Sequence, residues 1–167
     1  MATCILTGII TDTGNFLYPS TSEKTVEISS EMMSLGARLP KLIENTWRNK
    51  SLAAMKIWGK AMSHLEINEK YNIAFTVLPQ KDLTDSNLTA DEIDGISNFI
   101  GNMHDVKAVM LLTELEEGFI KGSLRSSDPD MDISILAKHL GGGGHAKASG
   151  FVVKGKLERI EGRWKIT

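Results

Sequence analysis

The sequence predicts an α/β protein: a compact α/β unit after Leu65, preceded by a shorter segment with its own apolar run. Three observations carry this. Leu52, Met55, Trp58, Met62 and Leu65 recur at spacings of three and four, with Lys56 and Lys60 off the stripe, which predicts an amphipathic helix. Beyond it, β-branched and apolar runs alternate with helical patterns, as a sheet covered by helices requires. Finally, Gly141-Gly142-Gly143-Gly144 lies between the apolar segments 133–140 and 151–153 rather than inside polar sequence.

The chain opens on Thr3-Cys4-Ile5-Leu6-Thr7-Gly8-Ile9-Ile10, which reads as a buried strand or a short helix leading into one. Because this run begins almost at Met1, we expect sequence to precede it. Thr11-Asp12-Thr13-Gly14 is a polar turn at its carboxyl end, where open α/β sheets place ligand-binding residues. Asp12 is therefore a site candidate, with an Asx turn or helix cap as the alternative. Residues 19–22 form a loop, and 28–39 and 40–47 two short helices interrupted by Gly36 and Pro40. The helix 51–65 follows, and Asn68 to Lys70 breaks its pattern. Residues 71–78 read as a strand ended by Pro79, and 82–89 as a polar loop. Thr89 is expected to cap a helix carrying Ile93, Ile96, Ile100 and Met103. Residues 106–115 are a nearly continuous apolar strand, Glu116-Glu117-Gly118 a turn, and 119–126 the returning strand of a hairpin. Asp128-Pro129-Asp130 is a loop, and Asp132 can cap a helix with Ile133, Leu136, Ala137 and Leu140 on one face. The glycines end that helix. Residues 151–153 give a further strand and 157–166 a charged terminal one.

With 41% apolar and 24% charged residues, the 167-residue chain has the composition of a globular protein of one domain or two small ones. The net charge of −2 argues against a general polyanion-binding surface, but not against a small phosphate ligand held by local groups. Cys4 is the only cysteine, which excludes an intrachain disulfide and a thiolate metal cluster and fits a reducing cytoplasm. No apolar run is long enough for a membrane span, and the N-terminus lacks a signal-peptide pattern.

Four consecutive glycines add backbone entropy that folding must remove, so a packed domain keeps them only where bare backbone is needed. Close approach of a ligand is one such need. Successive N–H groups can form a nest that favours anions, phosphate above all, and His145 follows at the head of a small-residue segment that could start a helix. A flexible linker is the alternative. On the returning strand, Phe119, Lys121, Ser123, Arg125 and Ser127 share one face, and Ile120, Leu124 and Ser126 the other. The planar fork of Arg125 suits phosphate. If this strand lies beside the glycines, Ser123, Arg125, His145 and backbone N–H groups can converge on one phosphate; otherwise the face is merely solvated. His64, His104 and His139 have no partner at metal-ligand spacing and read as surface or packing residues.

Gly141-Gly142-Gly143-Gly144-His145-Ala146-Lys147-Ala148-Ser149-Gly150 resembles the GGGGH-x-x-A-x-G signature of the DHH-associated domain. Lys121-Gly122-Ser123-Leu124-Arg125-Ser126 resembles the S-x-R-S strand upstream of it. Thr7-Gly8-Ile9-Ile10-Thr11-Asp12-Thr13-Gly14-Asn15-Phe16 resembles the last metal-binding motif of the DHH catalytic domain. The three occur in order, with spacing similar to the nanoRNase and pAp-phosphatase branch of these RecJ-like phosphoesterases. The resemblance implies that residues 1–50 are the end of a parallel-sheet DHH domain, 51–66 a linker helix, and 67–167 a smaller α/β DHH-associated domain with a mixed sheet. It implies a Mn²⁺-dependent phosphoesterase, with two ions in the complete site, hydrolysing short RNA or DNA oligonucleotides, pAp, or linear and cyclic dinucleotides, in a form compatible with a homodimer. Asp12 matches the family's metal-binding, catalytic aspartate. Ser123, Arg125, Gly142, Gly143, Gly144 and His145 match positions that hold substrate.

Neither Asp-His-His nor His-x-Asp-x-Asp is present in this sequence, and one carboxylate cannot hold two metal ions. The expectation is a C-terminal portion with little or no hydrolase activity alone. The competing expectation is a stand-alone nucleotide- or RNA-binding module, because a DHH-associated domain also ends alanyl-tRNA synthetases.

Overall fold

A computed structural model describes residues 1–18, 20–47, 50–83, 93 and 95–167. Two compact units, Met1–Lys50 and Ser51–Thr167, are each built on their own core.

The first unit contains α1 (Ala2–Asp12), α2 (Glu23–Ser34) and α3 (Leu39–Trp47). Of the two readings expected for residues 3–10, a buried strand or a short helix leading into one, the helix is present: it is α1, which runs through Asp12 and does not lead into a strand. Its apolar side chains bury at helical spacing: Leu6 and Ile10 are fully buried among Met32, Ala37 and Leu42, while Ile5 is 43% exposed. The threonines that suggested a strand offset their weak helix propensity by donating to carbonyls four residues back. Thr7 reaches Thr3 O at 2.8 Å, Thr11 reaches Thr7 O at 3.0 Å, and Thr13 reaches Ile9 O at 2.7 Å. Asp12 therefore ends a helix, exposed, before Gly14, Asn15 and Phe16 turn the chain with φ of 54°, 62° and 67°. Helix α2 starts in a reciprocal capping box, with Ser22 Oγ accepting from Thr25 N and Thr25 Oγ1 from Ser22 N, both at 3.2 Å.

The second unit begins with α4 (Leu52–Ser63), capped by Ser51 Oγ on Ala54 N at 3.1 Å. Then come β1 (Glu66–Asn68), β2 (Ile73–Leu78), α5 (Gln80–Leu83), α6 (Ile96–Ile100), β3 (Ala108–Leu115), a 3₁₀ turn (Glu116–Gly118), β4 (Phe119–Arg125), α7 (Ser134–His139), β5 (Gly143–His145), β6 (Ala148–Lys154), β7 (Leu157–Ile160) and β8 (Arg163–Ile166). The sheet is mixed, with order β1-β2-β3-β4-β6-β5; β2 and β3 are parallel and the other pairs antiparallel. The expected β3–β4 hairpin is present. The break expected at residues 68–70 is preceded by β1, and the single strand expected over 157–166 is instead the hairpin β7–β8, turned at Glu161 and Gly162 with φ of 53° and 78°. The cap expected at Thr89 lies outside the described residues, as do Pro19 and most of the loop after Asp82; α6 itself begins after Gly95.

Two layers pack on this sheet. Ile57 and Ala61 of α4 and Ile96 and Ile100 of α6 cover Ala74, Leu78, Val109 and Leu111 on one face. On the other, Ile133 and Ala137 meet Leu124, Phe151, Ile120 and Val77, with Leu157 and Trp164 of the last hairpin. His64 packs in this unit, its ring edge-on to Trp164 at 5.3 Å and Nδ1 3.1 Å from Val77 O. Among the described residues no helix is long and apolar enough to cross a membrane.

Candidate phosphate-binding site

Register alone brings the motif residues together. Ser123 of β4 pairs with Gly150 of β6, which pairs with Gly143 of β5; Arg125 pairs with Ala148, which pairs with His145. Residues directly opposite in an antiparallel sheet project to the same side, and neighbouring strands lie about 4.8 Å apart. Arg125 and His145 thus stand on one face about 10 Å apart, two strand spacings, with Ala148 between them and a floor of Gly143, Gly150 and Ser123 beside them. That separation suits two cation or donor groups gripping one anionic group from opposite sides. Among the described residues, α4 and α6 pack on the β2–β3 half of this face, Arg125, Ser123, Gly143 and Gly150 are half-buried, and Ala148 and His145 at the β6–β5 edge are exposed.

The glycine run is neither the flexible linker nor the mouth of a helix. It closes α7 and becomes edge strand β5, so the expected helix after His145 is the strand β6. Gly141, with φ 77°, ends α7 in a Schellman arrangement: its N–H donates to Lys138 O at 3.0 Å, and Gly142 N–H to Ala137 O at 2.8 Å. A nest made of all four N–H groups is therefore ruled out, since two of them serve the helix end. Gly142 is glycine for packing: a Cβ would lie 2.1 Å from Gly150 O and 2.6 Å from Phe151 Cα. Gly144, at φ 132°, would place a Cβ 2.6 Å from Ala148 O. Gly143 differs. Its φ is not positive, and a Cβ there would meet nothing within 4 Å. Neither conformation nor packing requires glycine at 143.

Arg125 is held by α6. Its Nε donates to Asn98 Oδ1 at 2.6 Å and Nη1 to its neighbour's carbonyl, Leu124 O, at 2.7 Å. A Cβ on Gly101 would come within 3.2 Å of Arg125 Cβ, so that glycine admits the arginine stem. The hairpin turn between His145 and Ala148 is anchored by Lys147, whose ammonium donates to Asp128 O, to Pro129 O at 2.9 Å and to Met131 O at 2.9 Å. Asp132 Oδ1 accepts from Ser134 N at 2.9 Å, in place of a cap on the residue before the helix. Hydrogen bonds from Ser134, side chain and then backbone, lower its pKa, burial opposes them, and the charges of Lys138 and Lys147 add to the lowering.

Asn98, Gly101 and Lys147 are the supporting residues that sequence reading missed. Asn98 lies 27 positions from Arg125, and no local pattern reports a contact across that distance. Lys147 sits inside the glycine–histidine motif, where its charge suggested nothing about three carbonyls.

Asp12 belongs to the other unit. Its main-chain carbonyl accepts from Ser20 Oγ at 3.4 Å. Among the described residues no three His, Cys, Asp or Glu side chains are grouped so as to hold a metal ion. This donor set does not fit a two-ion manganese centre.

Residues 68–162 match the model of the DHHA1 domain. The chain is 32% identical over 150 residues to the bifunctional oligoribonuclease and PAP phosphatase NrnA of Bacillus subtilis, covering 89% of this chain and 46% of that one. It is 33% identical to the probable bifunctional oligoribonuclease and PAP phosphatase NrnA of Streptococcus mutans, covering 89% and 47%. An exopolyphosphatase-related protein from Bacteroides fragilis superposes with a TM-score of 0.81 at 29% identity, over 90% of this chain and 44% of that one. The chain thus spans just under half the length of these relatives. A mixed sheet whose S-x-R-S strand lies one strand away from a Gly-Gly-Gly-Gly-His edge, and a family model covering more than half of the residues, lead to one assignment: the chain belongs to the DHHA1 domain family.

Proposed function

We propose that this chain is the substrate-gripping part of a phosphoesterase that acts on short oligoribonucleotides and on PAP. The observation that carries the reading is the row Arg125–Ala148–His145 on one sheet face, beside Gly143, where an added Cβ would meet nothing within 4 Å. A guanidinium oriented by Asn98, a histidine two strands away on the same face and small residues beside them suit a terminal phosphate. The printed activities of the relatives, oligoribonuclease and PAP phosphatase, fit a ligand of that kind. Ser123 adds a hydroxyl in the next row, and Gly144 shapes the edge by letting β5 lie close to Ser149. Manganese-assisted hydrolysis, implied by resemblance, calls for more donors than Asp12 supplies, so in this reading the chain binds and does not cut by itself.

Calorimetry with pAp and with adenosine tests this. pAp is expected to bind and adenosine to bind far more weakly. Arg125→Ala should cost about 1.5–3 kcal/mol of pAp affinity, the usual worth of a charge-assisted hydrogen bond. Equal binding of the two ligands, or an unchanged affinity in Arg125→Ala, refutes the assignment. Release of phosphate from pAp by this chain with Mn²⁺ refutes the division between gripping and cutting.

A further inference from the structure

The turn that follows His145 is not one that a β-hairpin prefers. Strand β5 ends at His145, β6 begins at Ala148, and only Ala146 and Lys147 lie between them. Two-residue turns that match the twist of a hairpin have positive φ at one or both central residues, so glycine, asparagine and aspartate usually supply them. Neither Ala146 nor Lys147 has positive φ. The turn therefore does not by itself favour the pairing it closes. The strand it holds is weak as well: β5 is Gly143-Gly144-His145, at the edge of the sheet. A slip of one residue in such a strand would carry His145 to the other face of the sheet, away from Arg125.

The constraint comes from residues 126–133. Ser126 N–H donates to Lys147 O at 3.1 Å and Ile133 N–H to Ala146 O at 3.0 Å, so both turn carbonyls are engaged from outside the hairpin. The Lys147 ammonium completes the clamp by donating to Asp128 O, Pro129 O and Met131 O. An ammonium carries three N–H donors, and three carbonyls converge on it, so donors and acceptors match. That convergence is built locally. Asp130 N–H donates to Asp128 Oδ1 at 2.9 Å and Met131 N–H to Asp128 O at 3.3 Å, which folds residues 128–131 into an Asx turn. We propose that Lys147 is a positioning residue for His145: its ammonium, caged by the carbonyls of Asp128, Pro129 and Met131, fixes the register of β5 and so keeps His145 on the face of Arg125. Lys147 itself does not grip the ligand, because its three protons are committed to the cage. The consequence for binding rests on the phosphate site described above; the positioning itself does not.

The test uses the 167-residue chain, whose four histidines give separate imidazole signals in NMR. His64, packed on Trp164, is the internal control. In Lys147→Met the His145 ring signals should shift or broaden while those of His64 hold. Affinity for pAp should fall about tenfold, as in His145→Ala. The double variant should lose little beyond either single one, because both changes remove the same contact. Asp128→Ala opens the Asx turn at a half-buried loop position. It should give the same His145 shift with a smaller loss of affinity, and it carries the test if Lys147→Met does not fold. A lysine with a merely structural role would lower the urea midpoint and move neither readout. Unchanged His145 signals in the folded variants, or losses that multiply to about a hundredfold in the double variant, overturn the proposal. If the parent chain does not bind pAp, the phosphate site fails, and the ring signals still decide whether Lys147 positions His145.

Discussion

Replacing the glycines of the run one at a time separates packing from ligand contact. An alanine at 143 would place its methyl in open space on the face carrying Ser123, on a backbone without positive φ. Glycine-to-alanine changes at compatible positions stabilise by about 0.4–1 kcal/mol, because the unfolded chain loses freedom. Gly143→Ala is therefore expected to be neutral or slightly more stable toward urea. Under the proposed phosphate site the same methyl would stand in the ligand's way, and losing one charge-assisted hydrogen bond costs about 1.5–3 kcal/mol, or roughly tenfold to more than a hundredfold in affinity. Gly142→Ala should behave in the opposite way. Its Cβ would lie 2.1 Å from Gly150 O and 2.6 Å from Phe151 Cα, which are backbone atoms and cannot swing aside, so β5 must separate from β6. Overpacking of that kind costs about 1–3 kcal/mol or more. Urea denaturation read beside calorimetric titration with pAp gives both quantities for each variant. A stable Gly143→Ala chain that binds pAp as the parent does, or a Gly142→Ala chain as stable as the parent, would refute the division.

Other variants probe the supports of the site. Asn98→Ala frees the Arg125 Nε bond and should weaken pAp binding by about 0.5–1.5 kcal/mol, with the urea midpoint little changed; calorimetry beside urea melts decides it. Lys147→Met leaves the carbonyls of Asp128, Pro129 and Met131 without their shared donor. It should destabilise the second unit by about 2–3 kcal/mol, read from the urea midpoint at constant slope. Asp132 has its folded pKa below the ordinary 3.8, so its contribution is complete above 3.8 and is lost as pH falls below that through the folded value. Urea midpoints between pH 3 and 6 should show a shallower acid limb in Asp132→Asn, and an unchanged limb counts against the assigned role.

How much was legible in the sequence varies with the range of the interaction that decides each element. The alternation along β4 is a local periodicity and read correctly: Ile120 and Leu124 are buried, while Phe119 and Lys121 are exposed. The helix over 51–65 is present as α4, but its expected stripe is corrected: Leu52 and Met55 are exposed, and Ala54, Ile57 and Ala61 are the residues buried, with Trp58, Met62 and Leu65 only partly so. The run at 3–10 left strand and helix both open, because a short apolar segment with β-branched residues satisfies a strand pattern as well as a helix pattern; the helix is what forms. Its overlooked signal was the four-residue spacing of Thr3, Thr7 and Thr11 and of Leu6 and Ile10, which lets hydroxyls reach carbonyls one turn back. In β7–β8, the Glu161-Gly162 turn is a two-residue feature that the charged pattern on either side obscured.

The residue types of the site were determined by the sequence alone: an arginine on a polar strand face, a histidine after a glycine run, and a domain family carried by local motifs. Local order along the chain was enough for these, because each is a matter of chemistry or of spacing within a few residues. Only the tertiary structure decided what each glycine does, since Gly141 answers to a helix end, Gly142 and Gly144 to a neighbouring strand, and Gly143 to open space. Only the pairing of β4, β6 and β5 placed Arg125 in register with His145, and only the docking of α6 supplied Asn98. Strand order and register are set by long-range burial and backbone hydrogen bonding, and these depend on the whole sheet rather than on any stretch of sequence within it.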